Sequence, residues 1–380
     1  MESVSIVRAS GYDYDELKKA VCELLEPLGG INAFVSSGEK VLLKPNMLSG
    51  KSPEKAVTTH PVLVQIVSEL ARDAGGRVVI GDSPGIGGFL SVAEKCGFYE
   101  AARKSGAALA EFKDGVELKG GGIFKSIRVA RNYYEADKII NLPKLKTHEM
   151  MTLTCAVKNL FGAVIGAEKA GWHLKAGTSK SLFARLLLEI YLLKKPALNI
   201  VDAIVAMEGD GPSSGTPIKR GILIAGANAV AVDVIAARVA GIPGTLLPIE
   251  REAASLGLSG AVIEEINMLG ESIQNIPAMS FKLPKGMDVQ FGLPPLVTRI
   301  MKSHLTSYPA ADHSICILCG ICRDACPPVA IKIRNSALSV DKSRCIRCWC
   351  CRELCPHNAM GIKSGRLLRV LKKLSGKSSV

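Results

Sequence analysis

The sequence predicts an α/β protein with a mostly parallel sheet flanked by helices, joined to a small α+β domain near its C-terminal end. Two observations lead to this prediction. Short β-branched segments alternate with longer amphipathic segments over residues 1–280, as in sheets that carry helices on both faces. Nine of the 12 cysteines then fall within residues 316–355 of a 380-residue chain, which is long enough for one large domain and one small module.

The first elements follow from local signals. A strand at Ser5–Arg8 precedes a helix at Asp13–Leu28, which the pair Gly29 and Gly30 ends. Pro61 suits a first helical turn and starts a helix that runs to about Ala74. The other elements predicted up to residue 141 are a helix from about Leu90 and the strands Lys40–Lys44, Arg77–Ile80, Ser126–Ala130 and Lys138–Asn141.

The alternation continues to the end of the α/β region. The predicted helices are Thr152–Val164, Ser181–Lys194 and Val230–Val239, and the predicted strands are Leu198–Ala203 and Gly221–Ala225. We therefore expect an α/β domain at residues 1–280, a linker at 281–312, the cysteine-rich domain at 313–360 and a basic tail at 361–380.

Polar residues follow the predicted strands, and in open parallel sheets ligands bind at the carboxyl ends of the strands. Several lysines at one such edge favour an anionic small molecule. The residues predicted to bind it are Lys44, Asn46, Lys144, Lys146, Lys158 and Asn159. The candidates for moving a proton are Asp82, His148 and Asp202. For His148, a purely structural hydrogen-bonded role is the alternative.

The glycine-rich loop at 81–88 does not match a dinucleotide-binding motif, because Leu90 stands where the third glycine is required. A phosphate-binding loop of the G-x4-G-K-[ST] type is also absent from the sequence. The sequence therefore gives no support to a nucleotide-dependent enzyme.

Eight of the 12 cysteines form two runs with the same spacing, C-x2-C-x2-C-x3-C-P. Bacterial ferredoxins with two [4Fe–4S] clusters have this spacing, and the fourth cysteine of each run binds the cluster of the other run. The predicted ligands of the first cluster are Cys316, Cys319, Cys322 and Cys355. Those of the second cluster are Cys345, Cys348, Cys351 and Cys326. The small domain is thus expected to have a bacterial ferredoxin-like α+β fold.

A zinc site or a disulfide framework would account for the cysteines less well than two clusters do. A zinc ribbon would use two C-x2-C pairs and leave four cysteines without a role. A disulfide framework would need an oxidising compartment, which nothing in the sequence indicates. The extra Cys350 is interpreted as a bystander, and Cys22, Cys96 and Cys155 as buried small hydrophobic residues.

The formal net charge of +13 would fall to about +9 if each cluster with its thiolates added roughly two negative charges. This excess is compatible with an acidic redox partner protein, or with a solvated basic surface. An aromatic content of 5% and the lack of a recognition module argue against nucleic acid. The basic tail could lie on an anionic membrane surface or fray in solvent. Without an N-terminal signal peptide pattern, we expect the cytoplasm, where thiols stay reduced.

At these residues the first domain resembles the DUF362 family, which is often joined to a ferredoxin module. The resemblance rests on residues 43–46, 81–85, 141–148 and 158–162, and on Asp202 with residues 211–212. It implies an architecture and a site but no reaction, since the family name states no function. The ferredoxin resemblance, over about 313–360, implies electron transfer through two low-potential clusters. We therefore expect a ferredoxin-coupled oxidoreductase; the alternative is a non-enzymatic electron carrier or docking module.

Overall fold

The computed structural model describes residues 1–166, 168–276, 280–284 and 307–364. Its strands are β1 (Glu2–Arg8), β2 (Lys40–Pro45), β3 (Arg77–Asp82), β4 (Ala108–Glu111), β5 (Gly115–Lys119), β6 (Ser126–Ala130), β7 (Lys138–Leu142), β8 (Lys144–His148), β9 (Thr152–Thr154), β10 (Leu198–Glu208), β11 (Thr216–Gly226), β12 (Ile266–Gly270), β13 (Ser307–Ala311), β14 (Ile331–Arg334), β15 (Ala337–Val340) and β16 (Met360–Ser364). Its helices are α1 (Tyr14–Leu25), α2 (Pro61–Asp73), α3 (Phe89–Lys95), α4 (Phe98–Ser105), α5 (Arg131–Glu135), α6 (Ala156–Asn159), α7 (Glu168–Ala176), α8 (Lys180–Leu193), α9 (Ala229–Val239), α10 (Pro248–Ser255), α11 (Ile321–Asp324) and α12 (Cys350–Glu353).

Ten of the described strands form one sheet in the order β12-β1-β11-β10-β7-β2-β3-β4, with β8 paired to β10 and β9 paired to β8. From β10 to β4 each strand runs parallel to the next, whereas β11 is antiparallel to both β10 and β1. The predicted α/β fold with a mostly parallel sheet is confirmed. Because these strands are parallel, the carboxyl ends of β2, β3 and β7 meet at one edge.

Helices cover both faces of this sheet, so its central strands are buried on both sides. Val41 and Leu43 of β2 pack into the apolar cluster that contains residues of α1 and α2. Leu42 lies in the cluster on the other face, with residues of α8 and α9. Burial on both faces explains why the central strands appear in the sequence as nearly continuous apolar runs.

The predicted helix at Thr152–Val164 is wrong in its first part. Residues 144–154 instead form a hairpin, in which β8 pairs antiparallel with β9 from Lys146 opposite Thr154 to His148 opposite Thr152. The helix begins only at Ala156, because the buried Asp233 carboxylate accepts hydrogen bonds from the backbone N–H groups of Ala156 and Val157. The contact depends on a residue far along the chain, so a local pattern does not reveal it.

The second unit, which we call the cysteine module, spans residues 307–364. Strands β13 and β16 pair antiparallel at its two ends, and β14 pairs with β15. Its first strand thus lies in the stretch that the sequence assigned to the linker, and its last strand runs past residue 360 into the predicted tail. The rest of the basic tail, residues 365–380, lies outside the described residues.

Two further features bear on the predictions. Cys96 and Cys155 are buried as expected, whereas Cys22 is exposed and its predicted burial is wrong. Cys22 falls on the solvent side of α1, since Leu17, Val21 and Leu24 form the buried side. Within the described ranges, no helix is long and apolar enough to cross a bilayer.

Candidate functional site

A cavity of about 450 Å³ lies between the α/β domain and the cysteine module; we call it the interdomain cavity. The α/β domain contributes its floor, at the carboxyl ends of β2, β3 and β8, and the module contributes a roof made of Asp324, Ala325, Cys350, Glu353 and Leu354. The predicted site residues that line it are Asn46, Asp82, Lys146, His148, Lys158 and Asn159. The structure thus brings six of the nine predicted residues of the α/β domain together at one cavity.

Lys44 and Asp82 form a buried ion pair beneath the cavity, with 3.0 Å between Nζ and Oδ1. The Asp82 carboxylate also accepts hydrogen bonds from the backbone N–H groups of Met47 and Ser83. Burial lowers the pKa of Lys44, and the charge of Asp82 opposes that effect. A Cβ at Gly162 would lie 2.1 Å from the Asp82 carboxylate and 2.5 Å from Lys44 Nζ, so only glycine fits beside the pair.

Four asparagine side chains form a hydrogen-bonded row under the cavity. Asn46 donates to Asn159 at 2.9 Å, Asn159 to Asn141 at 2.8 Å, and Asn141 to Asn199 at 2.9 Å. Each amide is thereby fixed in orientation, and the Asn46 oxygen is left to accept a hydrogen bond from Lys146 Nζ at 2.9 Å. Asn159 therefore acts by positioning Asn46, and Asn141 and Asn199 complete the row from neighbouring strands.

Lys158 and Lys169 bring two positive charges to the cavity wall. Among the described residues, no carboxylate or hydrogen-bond acceptor pairs with Lys158 Nζ, which lies 5.9 Å from the centre of the Phe161 ring. Lys169 Nζ donates to the backbone oxygen of Ser83. Burial lowers the pKa of Lys158 and lowers that of Lys169 to about 8. The wall is thus prepared for an anion, because an unpaired ammonium gains most from a carboxylate or phosphate ligand.

His148 crosses from the floor to the roof. Its Nδ1 accepts hydrogen bonds from the backbone N–H groups of Met150 and Met151, so the neutral ring carries its proton on Nε2. Nε2 lies 3.0 Å from Oε1 of Glu353 in the cysteine module. Burial and the positive charge of Lys158 lower the pKa of His148 to about 4. At neutral pH the ring is therefore an oriented donor toward Glu353.

Lys144 and Asp202 do not line the cavity, and the structure does not support their predicted roles there. Lys144 Nζ lies 2.8 Å from the Asp202 carboxylate and 2.9 Å from the Tyr12 hydroxyl. Asp202 also accepts hydrogen bonds from the Tyr12 hydroxyl and the His60 backbone N–H. Asp202 lies inside β10 rather than at its end, and this network satisfies both charges. The pair ties β8 and β10 to the α1 and α2 regions.

The charged and titratable cavity residues that sequence reasoning missed include Lys169, His173, Asp324 and Glu353. His173 is buried against Phe161 and Phe183, and among the described residues its Nδ1 has no hydrogen-bond partner. Glu353 lies between the predicted cluster ligands Cys351 and Cys355, and the cysteine spacing is the only evident signal in that stretch of sequence. No short-range sequence signal marks these residues, since α7, α11 and α12 reach the cavity only through tertiary packing.

The cysteines of the module gather around two small cavities. Cys316, Cys319, Cys322 and Cys355 line one of them, and Cys326, Cys345, Cys348 and Cys351 line the other. Each cavity thus draws three cysteines from one run and one from the other run. Backbone N–H groups of Ala330 and Ala359 donate to the sulfurs of Cys326 and Cys355, both at 3.2 Å. Four thiols around an apolar hollow, with amide donors to sulfur, fit an iron–sulfur cluster in each cavity.

The second cysteine run docks the module onto the α/β domain. Arg352 pairs with Glu149, and its Nη2 lies 2.9 Å from the Asp210 carboxylate. Trp349 is buried and belongs to the apolar cluster of the α/β domain. Ser213 donates to the backbone oxygen of Glu353 at 2.8 Å. The module's roof is therefore held over the cavity by charged, polar and apolar contacts together.

An α/β domain with a polar interdomain cavity and a module with two cysteine-lined hollows define this chain as an iron–sulfur protein. A domain of unknown function, DUF362, matches residues 41–238, and a 4Fe-4S dicluster domain matches residues 308–356. The chain belongs to the DUF362 family, and the predicted resemblance to that family with a ferredoxin-type module is confirmed.

Known relatives and structures extend this comparison. The thylakoid-associated protein sll1697 of Synechocystis sp. is 36% identical over 304 residues, which is 80% of this chain and 93% of the relative. The lactate racemase apoprotein from Thermoanaerobacterium thermosaccharolyticum has a TM-score of 0.42 at 11% identity, covering 63% of this chain and 57% of that one. A protein from Thermotoga maritima has a TM-score of 0.39 at 13% identity, covering 67% and 61%. These structural likenesses are too distant to carry an argument about function, and each takes in less than two thirds of the solved chain.

Proposed function

We propose that this protein is an iron–sulfur oxidoreductase in which the cysteine module passes electrons to a small anionic molecule bound in the interdomain cavity. One observation carries the proposal, namely that the cavity is shared between the two domains. Cys350 lines it and adjoins Cys351, a predicted cluster ligand, while Lys158 faces it from the α/β domain. A bound anion would therefore lie next to the second cluster.

The two cysteine-lined hollows support one [4Fe–4S] cluster each, with the ligand sets that the spacing predicts. When bound, the clusters would carry one electron each, at potentials on the order of −400 mV or below. The side chains of the protein bind and position the anion and shield it from water. Lys158 and Lys169 hold the anion, the asparagine row keeps Asn46 and Lys146 in place, and the docked roof of the module excludes bulk water.

The exposure of the two cysteine sets supports a direction for the electrons. Cys319 of the first set is exposed, and Ile317 beside it is 64% exposed. Cys348 and Cys351 of the second set are buried near the α/β domain. A protein redox partner would thus dock at the first set, and electrons would leave from the second set toward the cavity. This arrangement favours an enzyme, although a carrier protein without a substrate stays the competing proposal.

We place this activity in the cytoplasm, where the clusters would be protected from oxidation. The relative named for its association with thylakoids is in line with an additional contact between the basic tail and an anionic membrane surface. Nucleic acid has no part in the proposal.

The test is anaerobic reoxidation of the reconstituted, dithionite-reduced protein in the presence of a panel of small carboxylates and phosphate esters. We expect one class of anion to accelerate the loss of the reduced-cluster EPR signal, with a saturating concentration dependence. Lys158→Met should weaken that concentration dependence at least about tenfold, because it removes the unpaired ammonium. Lys19→Met serves as the matched control, since Lys19 is 79% exposed on α1 and remote from the cavity.

If every anion leaves the reoxidation rate unchanged while both clusters are reducible, the carrier protein replaces the oxidoreductase. If anions act equally on Lys158→Met and the unmodified protein, they act outside the interdomain cavity. The experiment therefore separates the existence of a substrate from its location.

A further inference from the structure

Each acid–base group that the sequence singled out already faces a partner within the protein. Asp82 is paired with Lys44, and Asp202 is paired with Lys144 outside the cavity. His148 accepts two backbone hydrogen bonds on Nδ1 and turns Nε2 to Glu353. A reduced ligand nevertheless needs protons as well as electrons. The cavity must supply a group that can release a proton near neutral pH.

Lys146 has the geometry for this task. Its side chain is buried at the cavity, where Nζ donates to the side-chain oxygen of Asn46 at 2.9 Å and to the backbone oxygen of Val57 at 2.6 Å. A neutral amine has two N–H bonds, and both are satisfied by these two acceptors. The ammonium form has a third N–H, which the two acceptors leave for a ligand. Lys146 can therefore lose a proton without breaking either hydrogen bond.

The charged groups around Lys146 come from several elements. Burial and the positive charges of Lys158 and Lys144 lower the pKa of Lys146 to about 7, and the carboxylates of Glu353 and Asp82 offset only part of that lowering. Both protonation states are then populated near pH 7, where general acid catalysis is most effective. Within the part of the chain that the structure describes, Lys158 and Lys169 differ from Lys146 because they lack this pair of fixed acceptors.

We propose that Lys146 is the proton donor of the interdomain cavity, while Lys158 and Lys169 hold the anionic group of the ligand. The inference rests on the proposed function. The ligand is a small anion with a reducible double bond, and its reduction consumes two electrons and two protons. A low-potential one-electron carrier protein supplies the electrons through the module. The π bond breaks, two new bonds to hydrogen form, and Lys146 gives each proton in turn, taking up one from water between the two transfers.

The first experiment measures the proton on Lys146 itself, without turnover. The reconstituted, oxidised protein is labelled briefly with formaldehyde and cyanoborohydride at several pH values, and methylation of Lys146 is measured by mass spectrometry. We expect half-maximal labelling near pH 7, whereas ordinary exposed lysines label near pH 10. Lys158→Met should move the midpoint for Lys146 upward, because it removes a neighbouring positive charge. A midpoint above about pH 9 in the unmodified protein would overturn the proposal.

The second experiment separates charge from proton donation. Lys146→Arg keeps the positive charge but cannot release a proton in this pH range. We expect it to bind the anion within about threefold of the unmodified protein and to slow reoxidation by that anion about 100-fold. In the unmodified protein the rate should fall as pH rises through about 7, because the donor must be protonated, and Lys146→Arg should lack that fall.

The outcomes distinguish this inference from the proposed function. If no anion reoxidises the unmodified protein, the proposed function fails and this inference fails with it. If an anion does so and Lys146→Arg matches the unmodified rate at every pH, this inference alone is overturned. Lys19→Arg is the matched control for the substitution, since it makes the same change on an exposed face of α1.

Discussion

Arg323 in the first cysteine run and Arg352 in the second occupy matching positions, 29 residues apart, and each is followed by an acidic residue. The pair in the first run lies on the surface, where Arg323 Nε binds Asp324 at 2.7 Å. In the second run, Arg352 turns to Glu149 and Asp210, and Glu353 turns to His148. An arginine followed by an acidic residue thus makes a local surface contact in the first run and holds the module to the α/β domain in the second run.

The local structure of the two runs is otherwise repeated. Leu318 and Arg347 both have positive φ, at 57° and 54°, and the matching residues Gly320 and Trp349 have φ of 81° and 63°. Tryptophan at a left-handed position is strained, and it is retained here because its ring is buried against the α/β domain. The comparison teaches that the two runs share their spacing and backbone conformation, and that burial of the second run against the α/β domain makes the module asymmetric.

The largest test of this asymmetry removes one cluster ligand from each site. Cys351→Ser and Cys322→Ser are matching changes, and each should lower the iron content by up to one cluster. With dithionite as the reductant, Cys351→Ser should reduce reoxidation to the rate without the anion, because the second cluster would adjoin the cavity. Cys322→Ser should retain reoxidation by the anion, since dithionite reaches the second cluster directly. Equal losses in both variants would contradict the proposed direction of electron flow.

The next test concerns docking. Arg352→Ala leaves Glu149 and Asp210 without their buried partner and should lower the free energy of unfolding by about 3 kcal/mol. Arg323→Ala removes an exposed pair and should change it by less than about 0.5 kcal/mol. Chemical denaturation of the reconstituted proteins measures both values. Similar values for the two variants would mean that the second run is no more firmly docked than the first.

A smaller effect is expected from Trp349→Gly, which introduces into the second run the residue type of Gly320 at the matching position of the first run. Removing the buried ring costs about 3–5 kcal/mol, and relief of the left-handed backbone returns about 1–2 kcal/mol. The net loss should be about 2 kcal/mol, measured by the same denaturation. A stabilised variant would show that strain, and not packing, dominates at this residue.

The smallest effect concerns the electrostatics of the roof. Glu353→Gln removes a negative charge from the cavity and should tighten binding of the anionic ligand about fivefold, or about 1 kcal/mol. Asp324→Asn, the matching change, should act less, because Asp324 also lines the cavity but its side chain is 66% exposed and screened by water. Isothermal titration calorimetry compares the two. Weaker binding to Glu353→Gln would indicate that Glu353 accepts a hydrogen bond from the ligand.

Much of this molecule follows from patterns that are local in sequence. The cysteine spacing predicted both four-cysteine groups, and the alternation of elements predicted the sheet and six of its ten described strands. The lysines after the strands were found because parallel strands end at one edge. Lys144 and Lys146 show where this reasoning stops, since they are two residues apart in β8 and lie in different networks. The pairing of β8 with β10 shifts register between Asp202 and Met207, and no local pattern signals that shift.

The residues that form the roof of the cavity could not be predicted from the sequence, for a different reason. Glu353 and Asp324 have similar sequence surroundings and both line the cavity, but the docked position of the module buries only Glu353 there. That position depends on Trp349 and Arg352 meeting partners more than 100 residues away in the chain. His173 and Lys169 similarly reach the cavity through the packing of α7. Long-range packing, and not residue type, decides membership in this site.

The pairing of β13 with β16 has a consequence for how such proteins arise. Ser307 lies opposite Ser364, so the chain enters and leaves the cysteine module at neighbouring points. A segment whose two ends adjoin can be inserted into a gene, or appended to one, without stretching the host protein. The cysteine module could in this sense be joined to other domains, and its second cysteine run carries the contacts that fit it to this α/β domain.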